Sequence, residues 1–145
     1  MKLTLKGRLP GLNEIINANR TNRFVGAKLK KEFSETIAWS CKAQKIKPIK
    51  GRLFFQFRWY EKNRKRDPDN FTSGGRKLIL DALQMAGVLE NDGWNIVGWV
   101  DNWEVDKENP RVEIEINKSN KNIYLDNGNF DVIRLFCANR QKQGY

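Results

Sequence analysis

Residues 51–70 read GRLFFQFRWYEKNRKRDPDN, and the fold turns on them. Leu53, Phe55, Phe57 and Trp59 alternate with Gln56 and Arg58, which predicts a strand over 51–60. The strand runs into a basic loop, EKNRKR (61–66), and then into Asp67-Pro68-Asp69-Asn70. Beyond it the apolar period lengthens. Residues 73–86 predict a helix, with Leu80, Leu83 and Ala86 facing inward and Gly87 as its stop.

Working outward, Met1 to Arg8 alternates Leu3 and Leu5 with Lys2, Thr4 and Lys6, which predicts a strand. Residues 9–26, LPGLNEIINANRTNRFVG, are rich in Pro, Gly and Asn and read as a long loop. A helix is predicted over 27–46. Leu29, Phe33, Ile37 and Cys41 form its inner face, Lys28, Lys31, Glu35 and Lys42 its outer face, and Pro48 stops it. Val88 to Trp94 reads as a turn. Residues 95–106 and 111–117 read as a hairpin turning at Asn109-Pro110. Trp99 and Trp103 keep strand parity with Val97 and Val105, so they are expected in the sheet core or on a dimer face, with Trp94 exposed. The order is β-α-β-α-β-β. The expectation is a single α+β domain, a mixed sheet with helices packed on it, over residues 1–117. Residues 118–145 form a C-terminal extension whose structure the sequence leaves open.

The 145 residues suit one domain of about 100–200 residues. A chain of this size removes roughly 70% of its unfolded surface from water and needs no disulfide or metal to fold. Histidine is absent, which excludes Ser-His-Asp and Cys-His catalysis and imidazole-based zinc sites. Two cysteines, Cys41 and Cys137, are too few for a four-cysteine zinc site. With no signal-like start, they point to a reducing cytoplasm. No apolar run approaches the roughly 20 residues that span a bilayer, so no membrane is expected.

Charge is the strongest compositional signal. The net +10 hides an asymmetry: residues 1–66 hold 18 basic and 4 acidic side chains, residues 67–145 hold 9 and 13. A strongly basic half points to a polyanion, and nucleic acid is the usual one. A merely soluble basic surface has the same composition.

Asp67-x-Asp69 is the feature that carries chemistry. In an extended segment the two carboxylates project to one side and reach one centre. Adjacent carboxylates repel, and a hard divalent cation such as Mg²⁺ relieves that conflict. Pro68 limits the wobble of the pair. Asp-Pro-Asp-Asn is also a good surface turn. Lys77 and Asp81 share a helix face one turn apart, and Asp92 follows in the turn Asn91-Asp92-Gly93-Trp94. Read singly, Lys77–Asp81 is an ordinary ion pair and Asp92-Gly93 an ordinary turn.

Together these residues resemble the RusA-like Holliday-junction resolvases of bacteria and their phages. The resemblance lies in Arg66-Asp67-Pro68-Asp69-Asn70, Lys77-Leu78-Ile79-Leu80-Asp81-Ala82-Leu83, Ala86-Gly87-Val88-Leu89 and Asn91-Asp92. Leu9-Pro10-Gly11-Leu12-Asn13 is similar to the family's N-terminal loop. It implies a small α+β homodimer that cleaves four-way DNA junctions with Mg²⁺ or Mn²⁺, in DNA recombination and repair in the bacterial host cytoplasm. It implies that Asp67, Asp69 and Asp92 are catalytic metal ligands and Lys77 the essential lysine, with Asp81 in a lesser role near Lys77 or the metal. The chain departs from the family at Phe71 to Arg76, about one helical turn longer than the family's shortest pattern. Arg76 thereby competes with Lys77 for the catalytic role, and the two glycines are placed at a helix start where backbone N–H groups meet a phosphate. Arg20, Arg23, Lys28, Lys31, Arg64, Lys65, Arg66 and Arg76 are the expected DNA contacts. Two other readings compete. One is a non-catalytic basic nucleic-acid-binding module using the 16 aromatic residues. The other is an Asp-x-Asp nucleotide-sugar transferase, for which 145 residues leave little room.

Overall fold

A computed structural model describes residues 1–91 and 93–119. Along the chain it has β1 (Lys2–Lys6), α1 (Leu12–Thr21), α2 (Arg23–Ala43), β2 (Leu53–Glu61), α3 (Pro68–Met85), β3 (Ile96–Val105) and β4 (Arg111–Lys118). The four strands form one mixed sheet in the order β1-β4-β2-β3. This is the expected α+β class with one more helix than expected. The boundary expected at residue 117 falls inside β4, which ends at Lys118.

β2 holds the centre because it is the most apolar strand. Leu53 to Phe57 are buried without interruption, and an interior position pairs the backbone on both sides. Its helix-facing residues meet β4 in register, Phe55 opposite Ile116, Phe57 opposite Ile114 and Trp59 opposite Val112. β1 extends this layer, with Leu3 opposite Ile114 and Leu5 opposite Val112. Phe55, Phe57 and Trp59 stack in a row with ring centroids 5.7 Å apart. Phe71 of α3 closes the row at 6.0 Å from Trp59.

The expected hairpin does not form. β3 pairs in parallel with β2, while β4 pairs antiparallel with β2 on its other side. β2-α3-β3 is therefore a βαβ unit. The segment from Asp106 to Pro110 carries the chain across the end of β2, where the Asp106 N–H donates to Glu61 O at 2.8 Å. Trp99 and Trp103 are consequently not in the core; they stand 49% and 53% exposed on the outer strand. Trp94 is fully exposed, as expected.

The Asn-rich segment 9–26 is not a loop. It holds α1 and the start of α2, which begins at Arg23, not at 27. Gly11 caps α1 with no side-chain bond, and the acceptor for the Asn13 N–H comes instead from Asn70 Oδ1 at 2.9 Å. That cap lies 57 residues away and has no local signature. Asn22 caps α2 by accepting from Phe24 N at 2.8 Å. α2 buries Ile37 and Cys41 on the expected face, and burial pushes the Cys41 thiol up.

α3 starts at Pro68, five residues before the expected position. Its stop is the expected one. Gly87 adopts φ 74°. Its N–H donates to Gln84 O at 3.1 Å while the Val88 N–H donates to Leu83 O at 3.0 Å, the Schellman pattern. Leu83 is buried as expected, but Leu80 is half-buried and Ala86 exposed. The buried stripe is Phe71, Thr72, Gly74, Gly75, Leu78, Ile79, Ala82 and Leu83. Gly74 and Gly75 lie within the helix, not at a helix start open to phosphate. A Cβ on Gly74 would sit 2.3 Å from the Leu12 nitrogen, and one on Gly75 2.6 Å from the Trp59 ring. The extra helical turn is thus the seam along which α3 wedges between α1 and the sheet.

Gly74→Ala should destabilise the protein by about 1–2 kcal/mol in a denaturant titration. The backbone clash outweighs the roughly 1 kcal/mol that alanine gains over glycine in a helix. A stability equal to or above wild type would contradict the packing described.

Candidate functional site

Asp67 and Asp69 sit at the N-terminus of α3. Asp67 is the N-cap residue, with φ −70° and ψ 136° and no side-chain capping bond, Pro68 follows at the first helical turn, and Asp69 is the first-turn acid. The Asp67 carbonyl accepts from Asn70 N at 3.0 Å and Phe71 N at 3.2 Å. The pair is therefore not on an extended segment as expected. A helix terminus presents it, and the positive end of the helix dipole favours two carboxylates there. Both side chains are exposed, and among the described residues neither has a hydrogen bond or ion pair. That is the condition of hard oxygen donors open to a divalent cation. Asp92 lies outside the described residues. Among the described residues no group of three or more acidic or cysteine side chains gathers around one point.

Lys77 and Asp81 lie further along the same helix. At 1.5 Å rise per residue, Lys77 is about 12 Å and Asp81 about 18 Å along the axis from Asp69. Asp81 therefore stands apart from the acidic pair. It holds Lys77 Nζ at 3.1 Å on Oδ1 and Lys30 Nζ of α2 at 3.1 Å on Oδ2. Burial pushes the Asp81 carboxyl up, but hydrogen bonds and charge from Lys77 and Lys30 outweigh it and hold the carboxyl below its ordinary value. The Lys77 side chain is 67% exposed, so its ammonium is steered by Asp81 and still faces solvent.

Arg76 has a different role. Its guanidinium pairs with Asp101 Oδ2 at 2.5 Å and stacks 4.7 Å from the Trp99 ring. The other oxygen, Asp101 Oδ1, accepts from Trp59 Nε1 at 2.9 Å. Asp101 thus ties α3 to β2 and β3, and Arg76 is consumed in the tie. Arg66 is likewise committed. It is 13% exposed, bonds Glu61 at 2.6 Å, donates to Leu9 O at 2.8 Å, lies 3.5 Å from Glu14 and stacks over Phe71. Glu14 also pairs with Arg8. This cluster holds the Leu9–Pro10 segment against the start of α3.

The other basic residues named from the sequence are exposed. Arg64 and Lys65 occupy the loop that leads into Asp67. Arg20 lies in the last turn of α1, and Arg23 begins α2 with its guanidinium over Phe24. Lys28 and Lys31 lie along α2 in loose pairs with Glu32 and Glu35 at 3.9 and 4.0 Å. Lys30 and Asp101 went unrecognised in the sequence. Neither had a local signal, because both act through partners on other elements.

A model of the family described as Endodeoxyribonuclease RusA matches residues 9–117. Comparison with curated proteins finds no match. Among the described residues no helix is long and apolar enough to cross a membrane.

The two cations on α3 should separate in stability measurements. Arg76→Met leaves Asp101 without its ion pair and should cost about 1–3 kcal/mol, whereas Lys77→Met should cost under about 1 kcal/mol. Equal losses would contradict the division. A second expectation concerns pH. A folded-state pKa below the unfolded one stabilises above the carboxylate range and is lost as pH falls through the folded value. Asp81→Asn should therefore destabilise near pH 7, and the difference from wild type should shrink as pH falls below the ordinary carboxylate range.

Proposed function

The chain belongs to the endodeoxyribonuclease RusA family, a family of Holliday-junction resolvases, and from that membership we propose that it resolves four-way DNA junctions by metal-dependent phosphodiester hydrolysis. The observation that carries the reading is the pair of exposed, unengaged carboxylates, Asp67 and Asp69, on a helix N-terminus directly after the exposed cations Arg64 and Lys65.

Asp67 and Asp69, together with Asp92, would hold Mg²⁺ or Mn²⁺. Such an ion would supply a water of lowered pKa and positive charge for the phosphate. Lys77 places its ammonium where charge develops on the phosphate or the leaving oxygen, and Asp81 orients it. Arg76 is not the catalytic cation, because its guanidinium is spent on Asp101 and Trp99. Arg20, Arg23, Lys28, Lys31, Arg64 and Lys65 take the phosphate backbone, a contact set that positions DNA without reading sequence. Arg66 serves the protein scaffold instead. A two-fold homodimer brings two such sites to strands of like polarity, acting in the cytoplasm in recombination and repair.

Incubation of a synthetic four-way junction with Mg²⁺ tests this. Wild type should nick it symmetrically, EDTA should stop cleavage and added Mg²⁺ restore it. Asp69→Asn should lose cleavage by at least about a hundredfold while keeping junction binding in a gel shift. Cleavage by that variant at the wild-type rate would sink the assignment. Salt-sensitive binding with no nicking by wild type, in Mg²⁺ or Mn²⁺, would make the protein a binding module.

A further inference from the structure

Among the described residues β3 is an edge strand, regular from Gly98 to Val105, and pairs only with β2. It is ten residues long, IVGWVDNWEV, and contains no proline, lysine or arginine. Edges are normally blunted by such residues or by shortness. On the face shared with the helices, Trp99, Trp103 and Val105 stand 49%, 53% and 48% exposed. α3 reaches this row through Arg76 over Trp99.

The strand also reads the same from both ends. Val97, Trp99, Asp101, Trp103 and Val105 are symmetric about Asp101 in sequence, and Trp99, Asp101, Trp103 and Val105 share one face, while the pairing with β2 slips at Val97. A two-fold axis at Asp101 pairs two copies antiparallel. Trp99 then stands opposite the partner's Trp103. Cross-strand aromatic pairs of this kind stabilise a sheet. At the axis two Asp101 carboxylates meet, but each already holds its own Arg76 and Trp59 N–H. The order across the centre is guanidinium, carboxylate, carboxylate, guanidinium, so each acid is neutralised from its own side.

Charge also selects the occupant. β3 itself bears no cation, and Asp101 is neutralised by Arg76, leaving Glu104 as its net charge; the strand gives a DNA backbone little to hold, while a second copy supplies apolar partners and a row of backbone groups. The half-exposed tryptophans leave roughly 150–250 Å² per protomer, against about 800 Å² for a standard interface. The strand backbone and the flank of α3 complete the contact.

We propose that β3 is the two-fold interface, joining two four-stranded sheets edge to edge with Asp101 on the axis. The proposal rests on the homodimer reading above and assigns its surface. Sedimentation of wild type, Trp103→Lys and Val105→Lys tests it, with thermal melts to check folding. Wild type should be dimeric, and Trp103→Lys should weaken self-association by roughly 30-fold or more. Val105→Lys should act in the same direction, and it carries the test if Trp103→Lys does not fold. The register is tested by mild oxidation of the double variant Val100→Cys/Asn102→Cys. It should cross-link as a dimer far more than either single variant, because these positions face each other across the axis. A dimer that both lysine variants leave intact would overturn the surface and spare the homodimer. A wild type that stays monomeric would overturn both. An intact Trp103→Lys dimer that has lost junction binding would assign the tryptophans to DNA instead.

Discussion

α3 can lie close to both the sheet and α1 only because two adjacent positions lack side chains. Gly74 lets the helix backbone meet the start of α1, and Gly75 lets it rest on the ring of Trp59. The remaining contacts follow from that distance. Asn70, one turn earlier, comes within 2.9 Å of the Asn13 N–H and caps α1. Phe71 reaches Trp59 and extends the aromatic row of β2. Arg76, on the same turn as the glycines, reaches Asp101. A methyl group at either glycine would move the helix, and with it the N-terminus that displays Asp67 and Asp69.

Cations of two kinds do different work around this helix. Arg66 and Arg76 are mostly buried, and each satisfies a carboxylate while stacking on an aromatic ring. A planar guanidinium suits that double contact better than an ammonium does. Lys77 and Lys30 share Asp81 from the outside and keep their side chains largely in water. The charge that builds the scaffold is therefore distinct from the charge available to a ligand. The change of sign at the Arg66–Asp67 boundary marks the point where one becomes the other, with Arg66 turned inward and Asp67 facing solvent.

β2 and both ends of its neighbourhood were legible in the sequence because their determinants are local. Alternation at Leu53, Phe55, Phe57 and Trp59 specifies a strand with one buried face, and Gly87 specifies a helix stop through its left-handed backbone. Asp67, Asp69, Lys77 and Asp81 stand out from residue types and spacing, although the structure sets Asp81 apart from the acidic pair, on Lys77 and Lys30. α1 was hidden, since its composition suits a loop and its cap comes from Asn70. The β3–β4 hairpin was a reasonable local reading that lost to a non-local demand: the most apolar strand takes the interior place and separates the two.

The sequence alone therefore determined the class of fold, the central strand, the family resemblance and the acidic and basic residues of the candidate site. Each depends on side-chain chemistry and short-range periodicity. The tertiary structure decided which strands are neighbours and which tryptophans reach solvent. It also decided which of Arg76 and Lys77 is tied into the scaffold. Those outcomes depend on the competition of distant groups for the same space and the same partners. Asp101, 25 residues beyond Arg76, accepts that arginine's charge, and no local pattern records the pairing.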